Sequence, residues 1–210
     1  MVKIAAIFDV DRTLVNGPSE QLFFYYLLRQ RQLSWAKVLA FCGHLLIEPQ
    51  SRFHDKSYLE GQAVEEIEHL ARACYREVIA MRLSVQGREC VRQHQAQGHV
   101  IVILTGSLHC LIHPLKEELG AEWLIATRLD RQNHHYTGGI TGLHPRGENK
   151  LRLLLELSQA QGFDIARSYA YADHFEDVPL LLKVGHPVAV NPSWRLKRLA
   201  RRYHWPIRYF

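Results

Sequence analysis

The fold is decided by residues 2–14, which read Val-Lys-Ile-Ala-Ala-Ile-Phe-Asp-Val-Asp-Arg-Thr-Leu. Residues 2–8 form a nearly continuous apolar run, which is typical of a parallel strand that is buried on both faces of a sheet. The run ends abruptly at two acids, Asp9 and Asp11, and a polar stretch with glycine and proline follows. The segment therefore predicts a central strand whose carboxyl end carries charge.

Further segments have the composition of strands and alternate with helical segments. Apolar runs at His99–Leu104, Ser168–Ala172 and Pro187–Val190 predict three more buried strands. The segments Trp123–Arg128 and Tyr136–Thr141 flank a polar turn and predict a hairpin. Strands that alternate with helices indicate a doubly wound, Rossmann-like α/β fold with a parallel sheet.

A long segment after the first strand interrupts this alternation, because residues 19–83 contain no strand signal. Helical patterns cover Gln21–Gln32, Ser34–Ile47 and Ala63–Leu83. In the last of these, apolar residues recur close to the helical period, at Ile67, Leu70, Ala71, Cys74, Val78 and Met81. We therefore expect an all-helical cap of residues 17–83, inserted into a Rossmann-like core of residues 1–16 and 84–210.

The composition excludes several classes of protein. The 210 residues are 47% hydrophobic and 22% charged, which excludes a disordered chain and allows a sizeable buried core. No apolar run approaches the roughly 18 residues that a membrane-spanning helix needs. Asp9 and Asp11 also interrupt what would be the apolar stretch of a signal peptide. We therefore expect a cytoplasmic protein with no membrane span.

The formal net charge of +5 is concentrated at the C-terminus. Residues 191–210 hold six basic and no acidic residues, and the rest of the chain has 20 basic against 21 acidic residues. Leu196, Leu199 and Tyr203 recur there at helical spacing, which predicts an amphipathic helix with a solvated basic face. A nucleic-acid-binding protein would spread basic and exposed aromatic residues across one face. We therefore expect no nucleic-acid partner, and the sequence leaves the oligomeric state open.

Polar residues follow three of the predicted strands, at the edge where sheets of this type bind ligands. Asp9 and Asp11 follow the first strand, Thr105 and Gly106 the second, and Asp173 the third. Two carboxylates so close together repel each other unless a cation or a proton intervenes. Asp173 would therefore complete an oxygen-rich site for Mg²⁺.

Other residues near these strand ends suit the binding of phosphate. Lys150 supplies a point charge, and Thr105 and the Gly106 amide can donate hydrogen bonds at the N-terminus of the helix that is expected to follow them. Alone, each of these residues is better explained as a helix cap or a solvated side chain. Their convergence with the acids at strand ends predicts an active site for phosphoryl transfer.

Four segments resemble the motifs of the haloacid dehalogenase-like superfamily of hydrolases. Residues 7–14 (Ile-Phe-Asp-Val-Asp-Arg-Thr-Leu) resemble its first motif, and residues 104–107 (Leu-Thr-Gly-Ser) its second. Residues 148–150 (Glu-Asn-Lys) are similar to its lysine motif, and residues 171–177 (Tyr-Ala-Asp-His-Phe-Glu-Asp) to its acidic fourth motif. The helical insert directly after the first motif is similar to subfamily IB, the phosphoserine-phosphatase-like branch. The resemblance spans almost the whole chain, and its first motif is the most specific.

The resemblance implies a Mg²⁺-dependent phosphatase that works through an aspartyl-phosphate. Asp9 would be the nucleophile, and Asp11 would protonate the leaving oxygen and then deprotonate water. Mg²⁺ would be bound by the Asp9 carboxylate, the Asp11 backbone carbonyl and Asp173. Asp177 would hold a metal-bound water or orient Lys150.

The resemblance also implies that Lys150, Thr105 and the Gly106 amide clamp the phosphate of a small phosphorylated metabolite. Histidinol phosphate, phosphoserine and other small phosphomonoesters are candidates. In phosphoserine phosphatases a cap glutamate reads the substrate ammonium, and Glu20 lies two positions beyond its place, where Pro18 stands. Phosphoserine is therefore disfavoured. Two alternatives stay open, a phosphotransferase with the same intermediate and a non-catalytic binding module with a basic C-terminal tail.

The sequence does not identify the residues of the insert that contact the substrate. We interpret five polar or aromatic residues near the expected turns as surface or packing residues, namely Glu20, Tyr25, Arg52, His54 and Lys56. Four aromatic residues are interpreted as the core of the cap, namely Phe23, Phe24, Trp35 and Phe41. In the fourth motif, Glu176 replaces a frequent asparagine and adds negative charge near the expected metal.

Overall fold

The computed structural model describes residues 3–34, 38, 39, 43 and 55–210. Most of the predicted helix Ser34–Ile47 lies outside these residues. The same holds for four side chains that the sequence analysis singled out, Trp35, Phe41, Arg52 and His54.

A seven-stranded sheet lies at the centre of the molecule. Its strands are β1 (Ala5–Phe8), β2 (Val100–Leu108), β3 (Trp123–Gln132), β4 (His135–Thr141), β5 (Tyr169–Ala172), β6 (His186–Val190) and β7 (Ile207–Arg208). The spatial order is β4-β3-β2-β1-β5-β6-β7. β3 and β4 form the predicted antiparallel hairpin, and the other neighbouring strands are parallel. The structure thus confirms a Rossmann-like α/β fold.

Strand β1 is apolar throughout because both faces of the sheet are covered. Ala6 and Phe8 pack into the apolar cluster on one face, and Ala5 and Ile7 pack into the cluster on the other. Successive side chains of a strand point to opposite faces, so a strand with two covered faces must be apolar at every position. The first polar side chain therefore comes where the strand ends, at Asp9.

Helices surround the sheet and alternate with its strands. They are α1 (Ser19–Arg29), α2 (Val64–Cys74), α3 (Val85–Ala96), α4 (His109–Glu118), α5 (Glu148–Gln161), α6 (Val178–Leu181) and α7 (Trp194–Arg202). The Gly87 amide donates to Ser84 Oγ at 3.0 Å, so Ser84 caps α3 as the sequence predicts. None of the helices in the described part of the chain is long and apolar enough to cross a membrane.

The chain leaves the sheet for the insert and returns at adjacent backbone positions. The Asn16 amide donates to the Arg82 carbonyl, and the Ser84 amide donates to the Leu14 carbonyl, both at 2.8 Å. Helices α1 and α2 of the insert pack into the same apolar cluster as one face of the sheet. The division into a core of residues 1–16 and 84–210 and a cap of residues 17–83 stays a prediction.

The predicted helix over Ala63–Leu83 is not one continuous α-helix. Helix α2 ends at Cys74, and a π-helical turn over Tyr75–Ile79 and a 3₁₀ turn follow it. A π-turn adds a residue to the helical turn, which shifts the direction of every later side chain. Consequently Ile79 is fully buried, and Met81, which the helical period places on the buried face, is 81% exposed.

Strand β2 continues four residues past its predicted end. Residues 105–107 are extended, and α4 begins only at His109. The prediction that Thr105 and Gly106 lie at a helix N-terminus is therefore wrong. A register shift against β3 creates a bulge in this part of β2, so the polar residues fit within the strand instead of ending it.

The C-terminal helix α7 matches the predicted amphipathic pattern only in part. Leu196 is fully buried, but Tyr203 lies just beyond the helix and is 49% exposed. The chain then turns back and adds the two-residue strand β7 to the edge of the sheet. Two residues carry too little periodicity for the sequence to predict this strand.

Candidate active site

A cavity of about 640 Å³ opens at the carboxyl ends of β1, β2 and β5. Its walls come from both the sheet side and the insert. It is lined by all seven site residues that the sequence analysis selected, namely Asp9, Asp11, Thr105, Gly106, Lys150, Asp173 and Asp177.

A closed turn after β1 places the first two acids. The amides of residues 13–15 all donate to the Val10 carbonyl, at 3.2, 2.9 and 2.9 Å. Arg12 adopts a positive φ of 58° within this turn, a conformation that is uncommon for residues other than glycine. The turn leaves Asp9 and Asp11 on the side of the cavity.

Lys150 is the centre of a buried charge network. Its Nζ lies 2.7 Å from Asp9 Oδ1 and 2.9 Å from Asp177 Oδ1. Lys150 lies in the first turn of α5. Gly147, the residue directly before this helix, has a positive φ of 53°. Burial alone would lower the pKa of Lys150, but the two carboxylates outweigh it and raise that pKa above its usual value.

Asp9, Asp173 and Asp177 form a cluster of buried acids. One carboxylate oxygen of each lies within 4.8 Å of the others. Burial, together with the neighbouring acids, raises the pKa of Asp9 to about 8 against the opposing effect of Lys150. Burial and Asp177 raise the pKa of Asp173 to about 7. One lysine does not neutralise three acids, so this all-oxygen cluster fits a divalent cation such as Mg²⁺.

The side chain of Asp11 has its own hydrogen bonds outside this cluster. The Ser19 amide donates to its Oδ1 at 2.9 Å, and the Ser107 hydroxyl donates to its Oδ2 at 3.0 Å. The hydroxyls of Ser19 and Ser107 lie 2.6 Å apart. Because Ser107 donates its hydrogen to Asp11, Ser19 donates to Ser107. Asp11 is therefore held in one orientation by groups from α1 and β2.

Neither of these serines is among the site residues predicted from the sequence. Ser107 lies in the segment that resembles the second motif, so its motif was a usable signal. Ser19 begins α1, eight residues after Asp11 and 88 residues before Ser107. No local pattern connects it with Asp11.

Two further buried side chains that contact Gly106 are not predicted from the sequence. Thr127 Oγ1 lies 2.6 Å from the Gly106 carbonyl oxygen and 2.8 Å from His144 Nδ1. Thr127 lies in β3, and His144 lies in the loop between β4 and α5, where it lines the cavity. A single threonine in a strand and a single histidine in a loop give no periodic signal.

The insert contributes a cavity wall that contains an ion pair. Lys56 Nζ lies 2.5 Å from Glu20 Oε1, and the Tyr58 hydroxyl donates to the same oxygen at 3.3 Å. Lys56 is only 1% exposed, in agreement with its interpretation as a packing residue. Glu20 and Tyr25 also line the cavity, and their interpretation as surface or packing residues stays a prediction.

Helix α1 presents different sides to the core and to the cavity. Phe23 is fully buried in the core, as predicted. Phe24 lines the cavity and packs edge-on against Tyr58, with ring centroids 5.2 Å apart. Adjacent helical residues differ by about 100° in direction, so neighbouring aromatics reach different environments.

A second ion pair lies on the opposite wall of the cavity. Arg146 Nη2 bonds to Glu176 Oε1, and both side chains are partly exposed. Arg146 comes from the loop before α5, and Glu176 from the 3₁₀ turn after β5. The negative charge that Glu176 adds near the acidic cluster is thus balanced by an arginine.

The same residues fall within a match to a known family. A family model described as haloacid dehalogenase-like hydrolase matches residues 6–182, from the first strand to the helix after Asp177. The chain belongs to the haloacid dehalogenase-like hydrolases. The match covers the insert and every segment of the cavity, so it includes all four motifs that the sequence analysis identified.

Relatives of this haloacid dehalogenase-like hydrolase include proteins named as phosphatases. Phosphoserine phosphatase SerB1 from Mycobacterium tuberculosis is 31% identical over 217 residues, which cover 98% of the chain and 70% of the relative. Histidinol-phosphatase from Neisseria meningitidis is 29% identical over 219 residues, which cover 98% of both proteins. A solved structure of a Bordetella pertussis protein of unknown function has a TM-score of 0.87 at 27% identity, covering 99% of the chain and 98% of that structure.

Proposed function

We propose that this hydrolase is a Mg²⁺-dependent phosphatase that cleaves a small-molecule phosphomonoester through an aspartyl-phosphate on Asp9. The observation that carries the proposal is the buried contact of Lys150 with Asp9, beside two further acids. Phosphoryl transfer needs little more than positioning and neutralisation of charge around an in-line nucleophile. The Asp9 carboxylate contacts Lys150 and belongs to the acidic cluster that fits a cation, so it suits that chemistry. The relatives named phosphatases support the same reaction class.

In the first step Asp9 acts as the nucleophile. Lys150 holds Asp9 Oδ1, which leaves Oδ2 to attack phosphorus. The bond between Oδ2 and phosphorus forms as the ester bond breaks, and the leaving oxygen takes a proton from Asp11. In the second step Asp11 takes a proton from water, and the water oxygen attacks phosphorus. The bond from Asp9 to phosphorus then breaks, which releases inorganic phosphate and restores the carboxylate.

The proposed metal site uses the Asp9 and Asp173 carboxylates and the Asp11 backbone carbonyl, with Asp177 orienting Lys150. The contact of 2.9 Å between Lys150 Nζ and Asp177 Oδ1 supports that last role. Mg²⁺ supplies positive charge for the phosphate oxygens when it is bound. The raised pKa values of Asp9 and Asp173 support the need for it, because both acids must be ionised to act.

The proposed substrate site divides between the core and a cap of residues 17–83. Lys150, Thr105 and the Gly106 amide would clamp the phosphate, and the insert wall would contact the alcohol part of the substrate. Lys56 already balances the charge of Glu20 on that wall. This pairing weakens the attraction of Glu20 for a substrate ammonium, which gives phosphoserine no preference over histidinol phosphate and other small phosphomonoesters.

The proposal is tested with a panel of phosphorylated metabolites, assayed for phosphate release with Mg²⁺ and with EDTA. We expect turnover with Mg²⁺, and its loss both in EDTA and in Asp9→Asn, which keeps the size of the side chain. Circular dichroism checks that Asp9→Asn is folded, and Asp130→Asn, an exposed change outside the cavity, is the matched control.

Two outcomes would contradict parts of this proposal. Full activity of Asp9→Asn removes the covalent intermediate. A folded wild-type protein that releases no phosphate from any substrate favours the non-catalytic binding module. Addition of alcohol acceptors distinguishes the phosphotransferase, because a new phosphoester then forms in place of inorganic phosphate.

A further inference from the structure

The bulged end of β2 depends on a side chain from the neighbouring strand. The register of β2 against β3 shifts between Leu104 and Leu108, and Gly106 lies within this bulge. The Thr127 hydroxyl lies 2.6 Å from the Gly106 carbonyl oxygen, and His144 Nδ1 lies 2.8 Å from the same hydroxyl. Thr127 is 1% exposed and His144 is 5% exposed. Gly106 and His144 line the cavity, and the buried Thr127 connects the two.

The Thr127 hydroxyl has a single hydrogen, and this fixes the donor and the acceptor in both hydrogen bonds. The Gly106 carbonyl can only accept, so Thr127 donates its hydrogen there. His144 Nδ1 must then donate to Thr127 Oγ1, which fixes the imidazole as the Nδ1–H form. The other edge of the ring packs on Gly106, because a Cβ at that residue would lie 3.4 Å from His144 Cε1 and 3.5 Å from Nε2. The imidazole ring is therefore close to the Gly106 backbone, at a distance where a Cβ would make ordinary van der Waals contact.

The peptide group that follows Gly106 is held at its other end as well. Its N–H belongs to Ser107 and donates to Thr105 Oγ1 at 3.1 Å. Because Thr105 Oγ1 accepts this hydrogen bond, the hydroxyl hydrogen of Thr105 points away from the peptide. Thr105 is 1% exposed and lines the cavity, and the described residues provide no acceptor for that hydrogen. A buried donor without an acceptor is a place for a ligand oxygen.

We propose that Thr127 and His144 are positioning residues for the substrate phosphate. They fix the peptide after Gly106, whose Ser107 N–H donates to Thr105 Oγ1, and so direct the Thr105 hydroxyl hydrogen into the cavity before substrate arrives. Donors that are already oriented bind more tightly, because binding does not have to order them. This inference rests on the proposed phosphatase function.

The test uses the Mg²⁺-loaded protein with inorganic phosphate as the probe, measured by calorimetry and as an inhibitor of phosphatase activity. Thr127→Val removes the hydroxyl and nearly keeps the volume, and Thr127→Ser restores the hydroxyl. We expect Thr127→Val to weaken phosphate binding and raise KM by about tenfold, the effect of one misdirected hydrogen bond. The kcat should change much less, because binding lost equally before and during the reaction raises KM alone.

Thr127→Ser should stay within about twofold of the wild type, since it keeps the bond to Gly106. The matched control is Thr141→Val, the same change at an exposed position of β4 outside the cavity. If Thr127→Val does not fold, His144→Asn and His144→Ala replace it. Asparagine can still donate to Thr127 and alanine cannot, so the alanine variant should bind phosphate about tenfold more weakly than the asparagine variant.

The inference is overturned if Thr127→Val binds phosphate like the wild type, or if Thr127→Ser is impaired as strongly as Thr127→Val. Either result leaves the proposed function intact, because the wild-type protein is still active. A wild-type protein that neither binds phosphate nor releases it from any phosphomonoester overturns the proposed function itself.

Discussion

Lys150 Nζ lies 2.7 Å from Asp9 Oδ1, although 141 residues separate the two in the chain. Asp9 ends the central strand β1, and Lys150 lies in the first turn of α5, with both side chains buried. They meet because the carboxyl end of β1 and the start of α5 lie at the same edge of the sheet. This contact joins the proposed nucleophile to the cation nearest to it among the described residues.

Removal of the Lys150 charge should impair both activity and stability. Lys150→Met keeps the length of the side chain, and we expect kcat to fall by about 100-fold or more because a positive charge is lost from the site of transfer. In EDTA the free energy of unfolding should fall by about 3 kcal/mol, because Asp9 and Asp177 lose a buried partner. Phosphate release and urea unfolding measure the two effects. The control is Lys183→Met, an exposed lysine outside the cavity, and equal kcat values for the two variants would refute the role of Lys150.

Mg²⁺ should stabilise the folded protein through the acidic cluster. At a concentration about 100 times its dissociation constant, we expect Mg²⁺ to raise the Tm by about 5 °C or more, because only the folded chain brings the three acids together. Asp173→Asn should abolish most of this shift, whereas Asp130→Asn on the exposed side of β3 should retain it. Thermal unfolding with and without Mg²⁺ measures the shift. An unchanged shift in Asp173→Asn would place the cation elsewhere.

The ion pair between Arg146 and Glu176 should affect substrate binding more than the chemical step. Glu176→Gln removes this ion pair at the cavity wall, and we expect KM to change by about two- to fivefold, since partly exposed pairs contribute less than about 1 kcal/mol. The kcat should change less, because Glu176 is not a member of the acidic cluster. Glu156→Gln breaks a comparable pair with Arg152 on the exposed face of α5 and is the control. A large loss of kcat with unchanged KM would show that Glu176 acts in the reaction.

His94 should make the protein less stable in acid. Its Nε2 lies 2.8 Å from the Tyr171 hydroxyl, and burial, followed by the nearby His99 and Arg208, lowers its pKa from 6.5 to about 4. Between about pH 4 and 6.5, His94 is protonated in the unfolded chain and neutral in the folded chain. The contribution of His94 to the free energy of unfolding should therefore be complete above pH 6.5 and be lost by up to about 1.4 kcal/mol per pH unit as the pH drops toward 4. Asp9 and Asp173, whose pKa values are raised, change the stability in the opposite direction over this range.

Urea unfolding between about pH 7.5 and 4.5 measures this contribution of His94 as the difference in pH slope between the wild type and His94→Gln, and the variant should lose less stability toward acid than the wild type. His204→Gln, at an exposed histidine beyond α7, is the matched control and should leave the slope unchanged. A wild-type slope in His94→Gln would assign the acid sensitivity to other groups.

Much of the core could be predicted because local patterns carry its information. The apolar run before Asp9 predicts a strand with two covered faces, since no polar residue can occupy such a strand without a large penalty. Ser84 predicts the start of α3 because its hydroxyl satisfies a free amide of the first turn. The acids and Lys150 could be selected together because strands of a parallel sheet end at one edge.

Other features depend on contacts that no local pattern encodes. The π-turn after Cys74 changes which side chains face inward, and a simple helical period therefore places Met81 incorrectly. The bulge in β2 keeps Thr105 in the strand, although the segment Thr105-Gly106-Ser107 is equally typical of the start of a helix.

The sequence by itself determined the Rossmann-like fold and the set of acids and lysine at its strand ends, because periodicity and residue chemistry are local properties. Only the tertiary structure decided that Glu20 and Tyr25 face the cavity and that Thr127 and His144 support Gly106. Those positions depend on the packing of α1, β3 and the loop after β4 against the end of β2. Such packing is a relationship between distant segments, so it exists only once the chain has folded.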